Sequence, residues 1–368
     1  MAARVEAHFA RHLAAAAGRG RVAPLPDAAT IESVIDVAFW SSLRREEGYA
    51  PRISLAVLPP DQAQAPLLFE RPLPLSADAL TRMAPAVERP GIHLGVWRSG
   101  GNGNGLSVWG TTRGLPSLCF VLEVAAPGLL VIKHGRGDEA VKFVNVAVLE
   151  GDQVKVLDER AARLPECPTV LSSLLGFDPP SAHDGAPNVL VELAVSMRAH
   201  GRGGSLLVVP GASQAWRESI VPPIHYSVSP PHRELSDLLQ HGPGSEPLRW
   251  REALERAVQA TAGLTAVDGA TLITQQYELL AFGAKIARRR GAPPVEKVAV
   301  AEPVENGLRG VVDPGELGGT RHQSAAQFVQ DQHDAVALVA SQDGRFTVFV
   351  WSAHAQLVHA HRVEALLL

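Results

Sequence analysis

The chain has 368 residues, 46% hydrophobic and 20% charged, with a formal net charge of −4. That is long enough for two domains with true cores and too apolar for wholesale disorder. The slightly acidic balance argues against a nucleic-acid partner bound over a broad surface, although a local anion site needs only a few groups. The two cysteines, Cys119 and Cys167, form no CxxC and sit in no Cys/His cluster, so neither a disulfide framework nor a structural zinc is expected.

Residues 1–50 read as helical. Ile31, Val34, Ile35, Ala38 and Phe39 recur at steps of three and four, the period of one helix face. Strand patterns follow at 53–58, 91–97, 106–110, 118–124, 128–133, 142–149 and 153–157. Turn signals such as Pro127-Gly128 and Gly151-Asp152 separate them, as an antiparallel meander requires. Cys119 falls inside one apolar run and reads as a small core hydrophobe. The glycine-rich stretch 100–105 imitates a phosphate loop, but strands flank it and no Lys-Ser/Thr follows, so it reads as a hairpin tip.

A boundary is expected near Gly176-Phe177-Asp178-Pro179-Pro180-Ser181, where proline blocks helix continuation. This predicts a β-rich α+β domain over 1–176 and a mixed-sheet α/β domain over 177–368. In the second half, 189–197 and 248–260 carry helical periodicity. Strands are expected at 204–210, 270–273, 278–282, 335–341 and 345–351, and a proline-rich stretch spans 222–231. A helix is expected over 323–330, directly after Thr320-Arg321-His322.

Two short motifs in this half can carry chemistry. Asp268-Gly269-Ala270 precedes a strand; its glycine allows a ligand close to the backbone, although an isolated Asp-Gly is ordinarily just a turn. Gly319-Thr320-Arg321-His322 precedes a helix, whose free N–H groups favour anions, and arginine adds a planar fork of donors. Alone, it reads as a solvated loop with a capping threonine. A second Asp-Gly-Ala, at 184–186, leads into Pro187 and a helix, and reads as linker and N-cap. Arg288-Arg289-Arg290 reads as a solvated loop. No stretch is apolar for the roughly 18 residues of a membrane span, so a soluble cytoplasmic protein without membrane partners is the expectation.

In order, Gly204-Ser205-Leu206-Leu207, Asp268-Gly269-Ala270, Gly319-Thr320-Arg321-His322 and Ser341-Gln342-Asp343-Gly344 resemble the diadenylate cyclase (DAC) domain of bacterial cyclic di-AMP synthases, whose pattern runs GALL, DGA, GTRHRAA and SEETG. The resemblance covers about residues 185–355. The first half, through Val108-Trp109-Gly110 and Glu123–Gly128, is similar to the N-terminal sensor domains (DACNV-like) of some bacterial DAC proteins.

The resemblance implies a nucleotidyltransferase that condenses two ATP into cyclic di-AMP and pyrophosphate in a homo-oligomer with facing catalytic domains. The N-terminal domain would read a ligand that the sequence does not identify. By resemblance, Asp268, Arg321 and His322 are catalytic. Gly269, Ala270, Gly319, Thr320, Arg321 and His322 bind ATP, and Asp268 and Asp343 hold Mg²⁺ or Mn²⁺. The chain departs from the pattern at Gln342, where an acid stands in the family, at Gln323 in place of arginine, and at Val267, where some branches carry a metal-binding histidine. Those departures leave a second expectation, a DAC-fold nucleotide sensor without turnover.

Overall fold

The computed structural model describes residues 1–15, 22–89, 91–98, 105–136, 142–157, 188–305, 307 and 309–368. The linker at 176–181, the second Asp-Gly-Ala at 184–186, Cys167 and all of the glycine-rich stretch 100–105 except Gly105 lie outside them. The chain forms two compact units, 1–157 with Leu368, and 158–367. The boundary expected near 176 also falls outside the described residues.

Unit one opens with α1 (Ala2–Ala15) and α2 (Ala28–Ser42), and Asp27 caps α2 by accepting from the Thr30 N–H at 2.8 Å. Then come β1 (Ile53–Val57), β2 (Leu67–Pro74), α3 (Ala77–Val87), β3 (His93–Arg98) and β4 (Leu106–Thr112). The unit closes with β5 (Phe120–Ala126), β6 (Leu129–Arg136), β7 (Lys142–Glu150) and β8 (Gln153–Val156). Strand order is β2-β4-β3-β1-β5-β6-β7-β8.

The meander expected from the turn signals holds for β5 to β8. It fails at β1, which pairs parallel with β3 after a crossover through β2 and α3. Neither crossover element was legible. The face of β2 is almost wholly exposed and two prolines interrupt its pattern, while α3 carries Pro85 within it. One sheet face takes Val5, Phe9, Ile31, Val34, Ala38 and Leu80 from the helices. The other buries Ala56, Leu58, Trp109, Cys119 and Val121. Trp109 lies flat over Gly95, where any side-chain carbon would meet its ring at 2.0 Å, and its indole N–H donates to the Leu58 carbonyl at 2.9 Å. Burial pushes the Cys119 thiol up to about 12, as suits a core hydrophobe rather than a nucleophile.

Unit two contains α4 (Val189–Ala199), β9 (Gly204–Val209), β10 (Tyr226–His232), α5 (Glu234–His241), α6 (Pro247–Leu264), β11 (Ala270–Thr274) and β12 (Leu279–Ala284). It continues with β13 (Val298–Ala301), β14 (Arg309–Val312), α7 (Pro314–Leu317), α8 (Thr320–Asp331), β15 (Val336–Ala340), β16 (Phe346–Ser352) and β17 (Leu357–Arg362). The sheet order is β10-β12-β11-β9-β15-β16-β17-β13-β14. Every residue of β9 is buried. Leu206 and Val208 face the α4–α6 layer, and Leu207 and Val209 face α8, as a period of two dictates for a central strand. The proline-rich stretch supplies β10, an edge strand, where a missing N–H is tolerated.

Each unit buries a histidine that burial holds well below its ordinary value: His93 in unit one and His361 in unit two, both at about 4. Both stay neutral when folded, so below about pH 6.5 the unfolded chain takes up protons that the folded chain refuses. Stability is full above that pH and falls as pH drops towards 4, by about 3 kcal/mol for each ring. Thermal melts across this window should show both units losing stability, and His361→Gln should flatten the acid slope of the second unit alone.

Candidate functional site

The motifs singled out in the sequence meet at one end of the second sheet. β9 and β11 run parallel with Ala270 opposite Ser205, and β15 runs antiparallel to β9 with Ala340 opposite Gly204. Asp268-Gly269 therefore sits beside the entry of β9, next to the exit of β15 into the turn Ser341–Arg345. The first turn of α8 reaches the same place. A side-chain carbon on Gly203 would stand 3.0 Å from Arg321 Nη1 and 3.4 Å from Gln342 Cγ.

Gly269 is required here for a backbone reason. Its φ is +106°, and a side-chain carbon would lie 2.5 Å from the Gly283 carbonyl carbon and 2.8 Å from the Ala284 nitrogen. Gly283 is its counterpart, with φ +61°; a carbon there would meet Tyr226 Cδ2 at 2.7 Å and the Asp268 carbonyl oxygen at 3.3 Å. The two glycines thus interlock β11 with β12 directly behind Asp268. Tyr226, 51% exposed, covers Gly283 and stacks on Phe282 with ring centroids 4.8 Å apart and planes within 3°.

The entry loop of β9 is tied to the end of α6 by a chain of hydrogen bonds. The Arg202 N–H donates to His200 Nδ1 at 3.1 Å, which leaves Nε2 as the donor to Thr265 Oγ1 at 3.1 Å; Thr265 in turn donates to the Ala262 carbonyl at 2.6 Å. Burial is the main cause of a lowered His200 pKa, with Arg202 adding to it, so the neutral tautomer this network needs is the favoured one. A carbon on Gly204 would strike the Thr265 carbonyl oxygen at 2.5 Å. This network and the glycine pair fix the loops on either side of Asp268. Sequence reading missed both, as it missed Tyr226. The glycine run 201–204 was the available signal for the loop; nothing local reveals that Tyr226 lies over Gly283.

The Gly319–His322 segment differs from the expected loop. Gly319 is the N-cap and Thr320, Arg321 and His322 form the first turn of α8 itself, which begins three residues earlier than periodicity suggested. Gly319 and Thr320 are exposed at a helix start with no capping side chain, an arrangement that suits an anion. Arg321 is half-buried and Asp268 is exposed, and among the described residues neither has an ion-pair partner.

His322 is placed differently from its expected role. Its ring is 2% exposed, Nδ1 would be 2.5 Å from a carbon on Gly318, and Nε2 lies 3.3 Å from Thr347 Oγ1 on β16. Burial is the main cause of its lowered pKa. At three residues into the helix, His322 turns into the core while Arg321 turns to the sheet end. The imidazole sets the position of α8; it does not face an incoming phosphate.

Asp343 also departs from expectation. One carboxylate oxygen accepts from the Arg345 N–H at 3.3 Å and the other lies 3.4 Å from Arg345 Nε, so the group closes its own turn. The Gln342 amide donates to the Arg202 carbonyl at 3.3 Å, a bond that an ionised acid at this position could not make. Among the described residues, neither Asp268 nor Asp343 belongs to a group of three or more His, Cys, Asp or Glu side chains close enough to share an ion. The pair does not fit a protein-held Mg²⁺ or Mn²⁺ cage. Asp268 alone fits a single carboxylate contact to an ion carried by a triphosphate, the common mode for magnesium. Gln323 lies away from the cluster, on a cavity of about 320 Å³ lined also by Arg288, Val295, Asp313 and Gln327; neither Asp268 nor Arg321 lines it.

Residues 20–113, all within the first unit, match the family described as "Probable sensor domain DACNV". No curated protein matches the chain. No helix among the described residues is long and apolar enough to cross a membrane.

The glycine interlock makes a sharp prediction. Gly269→Ala collides with backbone and should lower the unfolding free energy by well over about 1 kcal/mol, with no rescue by Tyr226→Ala. Gly283→Ala collides first with the Tyr226 ring, and Tyr226→Ala should recover part of its loss. Urea denaturation of the three single and two double variants measures both.

Proposed function

We propose that the second unit is a diadenylate cyclase half-site that condenses two ATP into cyclic di-AMP and pyrophosphate, with the sensor-domain unit setting its output. The observation that carries this reading is the convergence of Asp268-Gly269-Ala270, Arg321 and the 341–345 turn on one sheet end. These segments are distant in sequence and meet only by topology. The DACNV match in the first unit supports the same context.

The chemistry is a phosphoryl transfer, which depends mostly on positioning and on stabilising charge. The 3′-oxygen of one ATP bonds to the α-phosphorus of the other, the bond to pyrophosphate breaks, and the hydroxyl proton passes to a base. Asp268, an exposed carboxylate, orients that hydroxyl and accepts its proton. The N–H groups at Gly319–Arg321 and the Thr320 hydroxyl hold the phosphates. Arg321 neutralises the charge that develops on the departing pyrophosphate. His322 acts as a positioning residue through α8. A divalent ion carried by the triphosphate would supply further neutralisation, and Asp268 is the side chain that would touch it. Asp268 and Gly319–Thr320 are exposed at an open sheet end, which suits a site completed by a second copy presenting its own ATP.

A second reading rests on Gln342 and Asp343. Both are engaged within the protein, so Asp268 is the one motif carboxylate left for chemistry. A unit that binds ATP or a cyclic dinucleotide without turnover fits that arrangement.

Mass spectrometry of the products from purified full-length protein, mixed nucleoside triphosphates and Mn²⁺ should detect cyclic di-AMP. Asp268→Ala and Arg321→Ala should each slow its formation at least about 100-fold, the size of effect typical for a lost charge-stabilising group. No cyclic dinucleotide from wild type with any nucleotide overturns the cyclase reading. Calorimetric binding of ATP under the same conditions, abolished by Arg321→Ala, would then establish the sensor.

A further inference from the structure

The first unit brings three histidines together. His8 and His12 stand one turn apart on α1 and therefore share a face. His134 on β6 lies against that face. The ring centroids are 4.5 Å apart for His8 and His12, 5.2 Å for His12 and His134, and 6.4 Å for His8 and His134. One nitrogen from each ring lies within 4.8 Å of one from each of the others. His8 and His134 are 2% and 4% exposed, and His12 is half-buried.

The tautomer of His134 is set by its neighbour. Its Nδ1 lies 3.2 Å from the Gly135 carbonyl oxygen, which only accepts, so Nδ1 carries the proton and Nε2 presents a lone pair. A backbone carbonyl holding the second ring nitrogen is the usual support of a metal-ligating histidine. Phe9, fully buried, packs edge-on to His134 at 5.8 Å and tilts against Phe120 at 5.5 Å, which anchors α1 beside β6.

We propose that His8, His12 and His134 form a three-histidine site for a divalent transition-metal ion of the zinc class. Imidazole donors suit zinc, copper or nickel and disfavour magnesium or calcium, which prefer oxygen. Tetrahedral bonds of about 2.0–2.1 Å place ligand nitrogens about 3.4 Å apart, so small rotations of the rings bring them to bonding distance. Three protein ligands leave a fourth position for water or a small anion on the side of the half-buried His12. The three residues fall outside the matched segment 20–113, two before it and one after it. An ion held there ties the N-terminal helix to the sheet, so its presence registers as stability of the sensor unit.

The test uses tag-free full-length protein stripped with a chelator and titrated with zinc chloride, then with cobalt(II) chloride. Wild type should bind one equivalent of zinc, give the strong visible absorption of tetrahedral cobalt(II), and melt at higher temperature when loaded. His12→Gln and His134→Gln should each weaken zinc binding at least roughly 100-fold, since each removes one of only three protein ligands. Failure of wild type to retain zinc through gel filtration overturns the proposal, as does unchanged stoichiometry and affinity in both variants. If His134→Gln does not fold, His12→Gln and the wild-type cobalt spectrum decide the matter.

Discussion

The second unit depends on a contact between two backbones. A side-chain carbon on Gly269 would strike the Gly283 backbone, one on Gly283 would strike the Tyr226 ring, and both glycines take positive φ. That contact seats the start of β11 against the end of β12 and holds Asp268 at the open end of the sheet. It also puts Tyr226 over Gly283, so that the edge strand β10 covers the joint.

Around this contact, neighbouring groups satisfy one another in a way that assigns roles. His200, Thr265 and Gln342 tie the loop before β9 to α6 and to the 341–345 turn. Asp343 is absorbed by Arg345 and His322 by Thr347 and the core. Two charged groups of opposite sign, Asp268 and Arg321, then stand apart without ion-pair partners among the described residues. Leaving a half-buried guanidinium unneutralised is costly in a folded protein, and an anionic ligand is the natural way to offset it.

The first unit solves a different problem. Its sheet buries both faces, one against three helices and one against a small layer around Trp109. The helices are held by apolar contacts and by few polar groups. The cluster of His8, His12 and His134 is the polar exception where α1 meets β6, and it lies beyond both ends of the segment that matches the sensor-domain family.

Much of this was legible in the chain. The helix faces around Ile31 and Leu193, the buried strands at 204–209 and 270–274 and the core role of Cys119 follow from local periodicity, because side-chain burial repeats at 3.6 or 2 residues. The parallel pairing was not legible: β1 joins β3 through a crossover whose strand is exposed and whose helix contains Pro85. The fates of His322 and Asp343 were hidden too. Adjacent residues in the first turn of α8 point about 100° apart, so Arg321 reaches the sheet end while His322 enters the core. By itself the sequence determined which residues could carry chemistry, since residue type sets charge and donors. Only the tertiary structure decided which of them remain available for it, because a group's neighbours come from strands far away in the chain.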